Sequence, residues 1–136
     1  VLALLRAEAE NPAEFLCLAH GDWYAQSVWY GDQGPRLFDF RHGGFRHALL
    51  DLAAWEWRCG IHVGVAEHLV EEYLGELGRL GADRGGRFSQ AHARARAWMA
   101  LWHVARGERG LLVRRQLLQA ATEPDLEPLK GLAELI

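Results

Sequence analysis

The chain is short of several residue types, and each scarcity excludes something. Its 136 residues include two cysteines, Cys17 and Cys59. A disulfide-stapled secreted scaffold needs more, so a reducing compartment, and with it a cytoplasmic location, is expected. The charges nearly balance, at a net −3, which gives no broad electrostatic pull toward nucleic acid or an anionic membrane. No apolar run approaches the roughly 20 residues of a membrane span. The opening "VLALLRAEAE" has too short an apolar run, and no basic residue before it, for a signal peptide. The first residue is Val, so a processed, trimmed or excised chain is expected. Repeats, low-complexity tracts and a His-Glu-x-x-His motif are all missing from the sequence.

Half of the residues are apolar and about a quarter charged, as in ordinary globular domains. A chain of this length buries roughly two-thirds of its unfolded surface, so one domain over 1–136 with its own core is expected. "VLALLRAEAENPAEF" begins in helical spacing and is stopped at Asn11-Pro12, because the residue before proline is pushed out of helix. "FLCLA" (15–19) is a short continuous apolar run that suits a buried strand. "SVWY" and "RLFDF" flank "GDQGP", and aromatic and β-branched runs around such a turn read as a hairpin.

After Gly44 the periodicity becomes helical. Leu49, Leu50, Leu52, Ala53 and Trp57 form one set, and Val65, Leu69, Tyr73, Leu77 and Leu80 form a second stripe. "FSQAHARARAWMALWHVARG" predicts a third helix, with Ser89 as N-cap and Gly107 at its C-terminal cap. "RGLLVRRQLLQAA" and "DLEPLKGLAELI" predict two more. Strands come early and helices late, which argues for α+β, mostly α. The early strands, within 15–57, are expected to carry the chemistry, and 61–136 a helical bundle.

Two aspartates, Asp22 and Asp39, each close a predicted strand. Packed together, their carboxylates would share one cleft. Phosphoryl transfer uses such a pair, one carboxylate accepting the proton of an attacking hydroxyl and the other holding Mg²⁺. The plainer reading makes both aspartates caps of turns and strand ends.

The residues His20-Gly21-Asp22, Phe38-Asp39-Phe40 and Asp51-Leu52-Ala53, in that order and at those intervals, resemble the catalytic core of the aminoglycoside phosphotransferase and choline kinase-like family. The resemblance is carried by residues 15–57. It implies a protein-kinase-like C-lobe, ATP and Mg²⁺ as reactants, and transfer of the γ-phosphoryl group to the hydroxyl of a small molecule. It implies Asp22 as the catalytic aspartate and Asp39 as the Mg²⁺ ligand. His20 and Asp51 would hold the loop in shape. Asp51 lies in an apolar helix, where a carboxylate should seek backbone N–H partners.

The departures matter as well. Ser27 stands where the family has a metal-binding Asn five residues after the Asp, and reads either as a shorter ligand or as a relic. Gln26 keeps the amide one position early. Arg41 replaces a residue that is often acidic, bringing a positive charge beside the metal position. The family's N-lobe supplies a glycine-containing loop and a lysine to the phosphates. Here the one lysine is Lys130, and "GGRF" (85–88) falls between predicted helices. These residues are therefore expected to be a C-lobe alone, excised from a longer parent or naturally truncated, that lacks half the ATP site and has its lobe interface covered by the missing N-lobe or a partner. A catalytically degenerate kinase-like module, used for binding or regulation, is the alternative.

Other features have competing readings. Cys17-x-x-His20 and Cys59-x-x-His62 have the pairings of a tetrahedral zinc site, or are core residues. Glu67, Glu71 and Glu72 suit a cationic substrate such as an aminoglycoside or choline, or simply a solvated helix face. Trp23 and Tyr24 line a substrate cleft or pack under the loop. Trp55, Trp57, Trp98 and Trp102 read as core or lobe-interface packing. His42, His47, His68, His92 and His103 show no ligand spacing. The basic bits "ARARAW" and "VRRQ" are too small to argue for nucleic acid.

Overall fold

A computed structural model describes residue 3 and residues 15–23, 25–58, 63–82 and 86–136. The expected first helix, its Asn11-Pro12 stop, Tyr24, Cys59 and His62 lie outside the described residues.

The apolar run 15–19 does form a strand, β1 (Leu16–Ala19). It pairs antiparallel with β4 (Gly44–His47), Leu16 opposite His47 and Ala19 opposite Gly44. The expected hairpin is β2 (Val28–Gly31) and β3 (Gly34–Leu37), joined by Asp32-Gln33, with Val28 opposite Leu37. These are two separate two-stranded ribbons. A bond from the Phe38 N–H to the Ser27 carbonyl (3.1 Å) extends the hairpin at its open end.

Two expectations about this region need correction. β1 is not a buried strand: Leu18 is 67% exposed and Leu16 47%. A ribbon of two strands leaves one face open, and an apolar run cannot report whether a neighbour covers it. The helix expected from residue 45 starts later, because Gly44–His47 is first used as the partner of β1. The turn into the helix is made by His47. Its ring Nδ1 accepts the Leu49 N–H (3.2 Å), and the ring stacks on Phe15.

Among the described residues five helices follow: α1 (Ala48–Arg58), α2 (Val63–Arg79), α3 (Arg87–Ala105), α4 (Leu111–Ala120) and α5 (Leu129–Leu135). A one-turn 3-10 helix, Pro124–Leu126, precedes the last. The chain is thus mostly helical with a few short antiparallel strands, the expected α+β class.

Alanine spacing on α3 makes it the central helix. Ala91 and Ala95 pack with Leu49, Leu52 and Ala53 of α1 and Val70 of α2. Ala93, Ala97 and Ala100 pack with Val113, Leu117 and Ala120 of α4, and beyond them Leu126, Leu129 and Ala133. Small side chains on both flanks bring neighbours close, and larger apolar groups fill the remaining space. Each fully buried leucine, such as Leu49 or Leu117, stabilises the fold by about 1.5–3 kcal/mol.

Helix α3 starts at Arg87, after Gly86 in a left-handed conformation (φ 73°). Ser89 therefore lies inside the first turn and does not cap it. Gly107, also left-handed (φ 81°), closes the other end as expected, its N–H donating to the Val104 carbonyl at 2.9 Å. The α2 stripe is a further correction. Ala66 and Val70 face the core, while Val65, Leu69, Tyr73 and Leu80 face outward. Periodicity shows that residues share a face, not that the face is covered. Among the described residues no helix is long and apolar enough to cross a membrane.

Candidate functional site

The loop after β1 is held from beneath by α1. Asp51, in the first turn of that helix, accepts the His20 N–H (2.5 Å) on one carboxylate oxygen and the Gly21 N–H (2.9 Å) on the other. These are the backbone partners that a carboxylate on an apolar helix needs. Seven residues on, at the same helix face, Arg58 forms an ion pair with the Asp22 carboxylate. It also donates to the Trp23 carbonyl at 3.2 Å. One helix therefore fixes both the backbone before Asp22 and the carboxylate itself.

Gly21 cannot be replaced without distortion. Its φ is +82°, and a Cβ there would lie 2.1 Å from the His42 carbonyl oxygen. His20 is 5% exposed. Its Nε2 hydrogen-bonds the Phe38 carbonyl (2.7 Å) and its ring rests on Phe40. The histidine therefore ties the Asp22 loop to the Asp39 segment.

Asp39 takes a left-handed conformation (φ 65°, ψ 55°) ahead of the short 3-10 turn Phe40–His42. It is the only non-glycine residue with positive φ among the described residues, and such strain tends to gather at functional sites. Arg41 grips its carboxylate through two bonds, of 2.6 and 2.8 Å. These bonds hold the Asp39 carboxyl below its ordinary value. Ser27 is 2% exposed, and its hydroxyl donates a long 3.4 Å bond to the Asp22 carbonyl.

Mg²⁺ takes oxygen ligands, typically one or two carboxylates with phosphate oxygens and water. Asp39 fits that donor type, since an exposed pair such as Asp39–Arg41 is weakly held and opens readily. Ser27 would have to turn its hydroxyl away from the loop backbone before it joined a metal. Among the described residues no group of three or more His, Cys, Asp or Glu side chains is assembled for a metal.

Beside the loop, between β1, β4, α1 and α3, lies a cleft of about 320 Å³. Gly21, Asp51, Arg46, Arg58 and the tryptophans Trp57, Trp98 and Trp102 line it. Trp98 and Trp102 are exposed, at 39% and 46%. Trp57 is covered by the ring of His103, stacked at 3.7 Å. Arg46 and Arg58 are the site residues that sequence reasoning missed. The signal for Arg58 was its i, i+7 relation to Asp51. Arg46 was hidden because its segment was read as helix.

Other readings can now be placed. Glu67 is bound by Arg115 (2.8 Å) and Gln119 (2.6 Å) of α4, while Glu71 and Glu72 are exposed. Trp23 stacks on Trp55, the packing reading of that residue. His92 and His103 are buried with carboxylate partners, Glu56 and Glu108, and His42 and His68 are exposed. Cys17 is a free thiol, pushed up by burial and by the Asp51 charge. No family model matches this chain, and no curated protein matches it.

Proposed function

We propose that the chain is the C-lobe of an ATP-dependent small-molecule phosphotransferase of the aminoglycoside phosphotransferase and choline kinase-like type. The observation that carries this reading is the double acceptance by Asp51 of the His20 and Gly21 N–H groups. It pins the two backbone N–H groups just before Asp22, a constraint that a solvent-exposed turn would not need.

In this reading Asp22 orients the acceptor hydroxyl and takes its proton. The hydroxyl oxygen bonds to the γ-phosphorus of ATP as the bond to the β-bridging oxygen breaks, leaving ADP. Asp39 is the residue that holds Mg²⁺, which when bound neutralises phosphate charge. His20 and Asp51 position the loop without touching substrate. Positioning and charge stabilisation supply most of the rate in such transfers. Leu18, Phe38, Phe40 and Phe45, all left exposed, form the apolar surface assigned to a nucleotide-binding lobe or a partner.

The test is kinetic. In the full-length protein Asp22→Asn should lower turnover by about 10²–10⁴-fold, the usual range for a lost general base, with nucleotide affinity unchanged. Equal loss of both would remove Asp22 from that role.

One set of contacts favours a second reading, a degenerate kinase-like module used for binding or regulation. Both aspartates are engaged by arginines, Asp22 by Arg58 and Asp39 by Arg41, and the Ser27 hydroxyl is given to the loop. A folded full-length protein that binds no Mg-ATP would establish that reading over the first.

A further inference from the structure

The cleft beside Asp22 holds charges of both signs, and one of its cations has no ionic partner among the described residues. Its one carboxylate, Asp51, has both oxygens occupied by backbone N–H groups. Arg58 is balanced by Asp22. His103 is matched by Glu108 (2.8 Å). Arg46 remains. It lies on β4, exposed, and it makes no ion pair or hydrogen bond with another described residue. Around it stand Trp98 and Trp102, one helical turn apart on α3 and partly open to solvent, with the Arg106 guanidinium over one face of the Trp102 ring (4.5 Å). The acidic residues that would draw a cation are elsewhere: Glu67 is spent on holding α4.

We infer that this cleft selects an anionic acceptor: a hydroxylated ring that stacks on the α3 tryptophans and places a carboxylate or phosphate on Arg46. The apolar C–H face of a sugar ring gains from packing on an indole face, and a guanidinium holds a carboxylate or phosphate by paired, charge-assisted hydrogen bonds. A cationic acceptor would meet Arg46 with like charge. The inference rests on the phosphotransferase reading for what happens to the ring after it binds. Its binding claim is measured without nucleotide.

The test titrates glucuronate, glucose 6-phosphate, glucose and glucosamine into the full-length protein, following tryptophan fluorescence. Expected is saturable binding of at least one anionic sugar, tighter than glucose by about tenfold, as charge-assisted bonds are worth about twice neutral ones. Glucosamine should bind most weakly. Arg46→Gln should abolish the anion preference, and Arg46→Lys should restore part of it. Because Arg46 is exposed, both variants should fold. Equal or tighter binding of glucosamine, an anion preference that survives Arg46→Gln, or no saturable anion binding would overturn the inference. Arg46-dependent binding without ADP formation when Mg-ATP is added would uphold this site and count against the phosphotransferase reading.

Discussion

Gly21 has no room for a side chain, and its backbone is in the region that only glycine enters freely. A methyl group there meets the His42 carbonyl, and the left-handed conformation adds about 1–2 kcal/mol for an L-residue. Gly21→Ala should therefore destabilise the protein by at least about that amount, read as a fall in denaturant midpoint, and should displace the loop that presents Asp22. The role of Asp51 was legible from the sequence because a carboxylate on an apolar helix must find donors, and the nearest orphan donors belong to the loop. Arg41 was legible as a charge beside Asp39 but its grip was not. A two-residue offset brings a guanidinium onto a carboxylate only when the backbone turns sharply, as the left-handed Asp39 makes it do. Ser27 was readable as a small polar residue and nothing more, since the direction of a hydroxyl depends on partners the sequence does not place.

Among the elements, α1 links the site to the core. It holds the loop through Asp51 and Arg58 and buries Leu49, Leu52 and Ala53 beneath them. It is also joined to α3 by a buried charge cluster. Glu56 (3% exposed) accepts hydrogen bonds from His92 and Arg96, at 2.6 and 2.5 Å. Burial alone pushes Glu56 upward, but the His92 and Arg96 bonds and charges outweigh it and hold the carboxyl below its ordinary value. Removing one partner of a buried ion pair typically costs about 3–5 kcal/mol, and Glu56→Ala should lose that much at neutral pH. A carboxyl held low in the fold contributes fully above its unfolded value, about 4.3, and its contribution is lost as the pH falls through the folded value. The gap between wild type and Glu56→Ala in thermal melts should accordingly be widest at neutral pH and close under acid.

The helices show where sequence reasoning succeeds and where it stops. Helix existence followed from spacing in α1 to α5, because one apolar stripe per helix survives any packing arrangement. Which stripe is covered did not follow: on α2 the obvious one looks outward and the two-residue set Ala66 and Val70 looks in. Leu49→Ala should therefore cost about 2–5 kcal/mol, the range for a buried leucine. Leu69→Ala, on the exposed α2 stripe, should stay within about 0.5 kcal/mol of wild type in the same denaturant titration. Strand pairing was half legible. The β2–β3 hairpin announced itself through its turn residues, while β4 did not, because Gly44–His47 is short and runs straight into helical periodicity.

For the molecule as a whole, both aspartates end up in one assembly, joined through His20 and the Phe38 carbonyl. That assembly lies beside a tryptophan-lined cleft. In the proposed reading, phosphoryl transfer here would need a metal at Asp39, whose carboxylate is now gripped by Arg41. We propose that Asp39 holds it when Mg-ATP binds. The deciding measurement is calorimetric titration of ATP, with and without Mg²⁺, into the full-length protein and its Asp39→Ala variant. Saturable binding that requires Mg²⁺ and disappears in the variant is the predicted result. Absence of binding by a folded protein, or binding indifferent to Mg²⁺ and to Asp39, would contradict it.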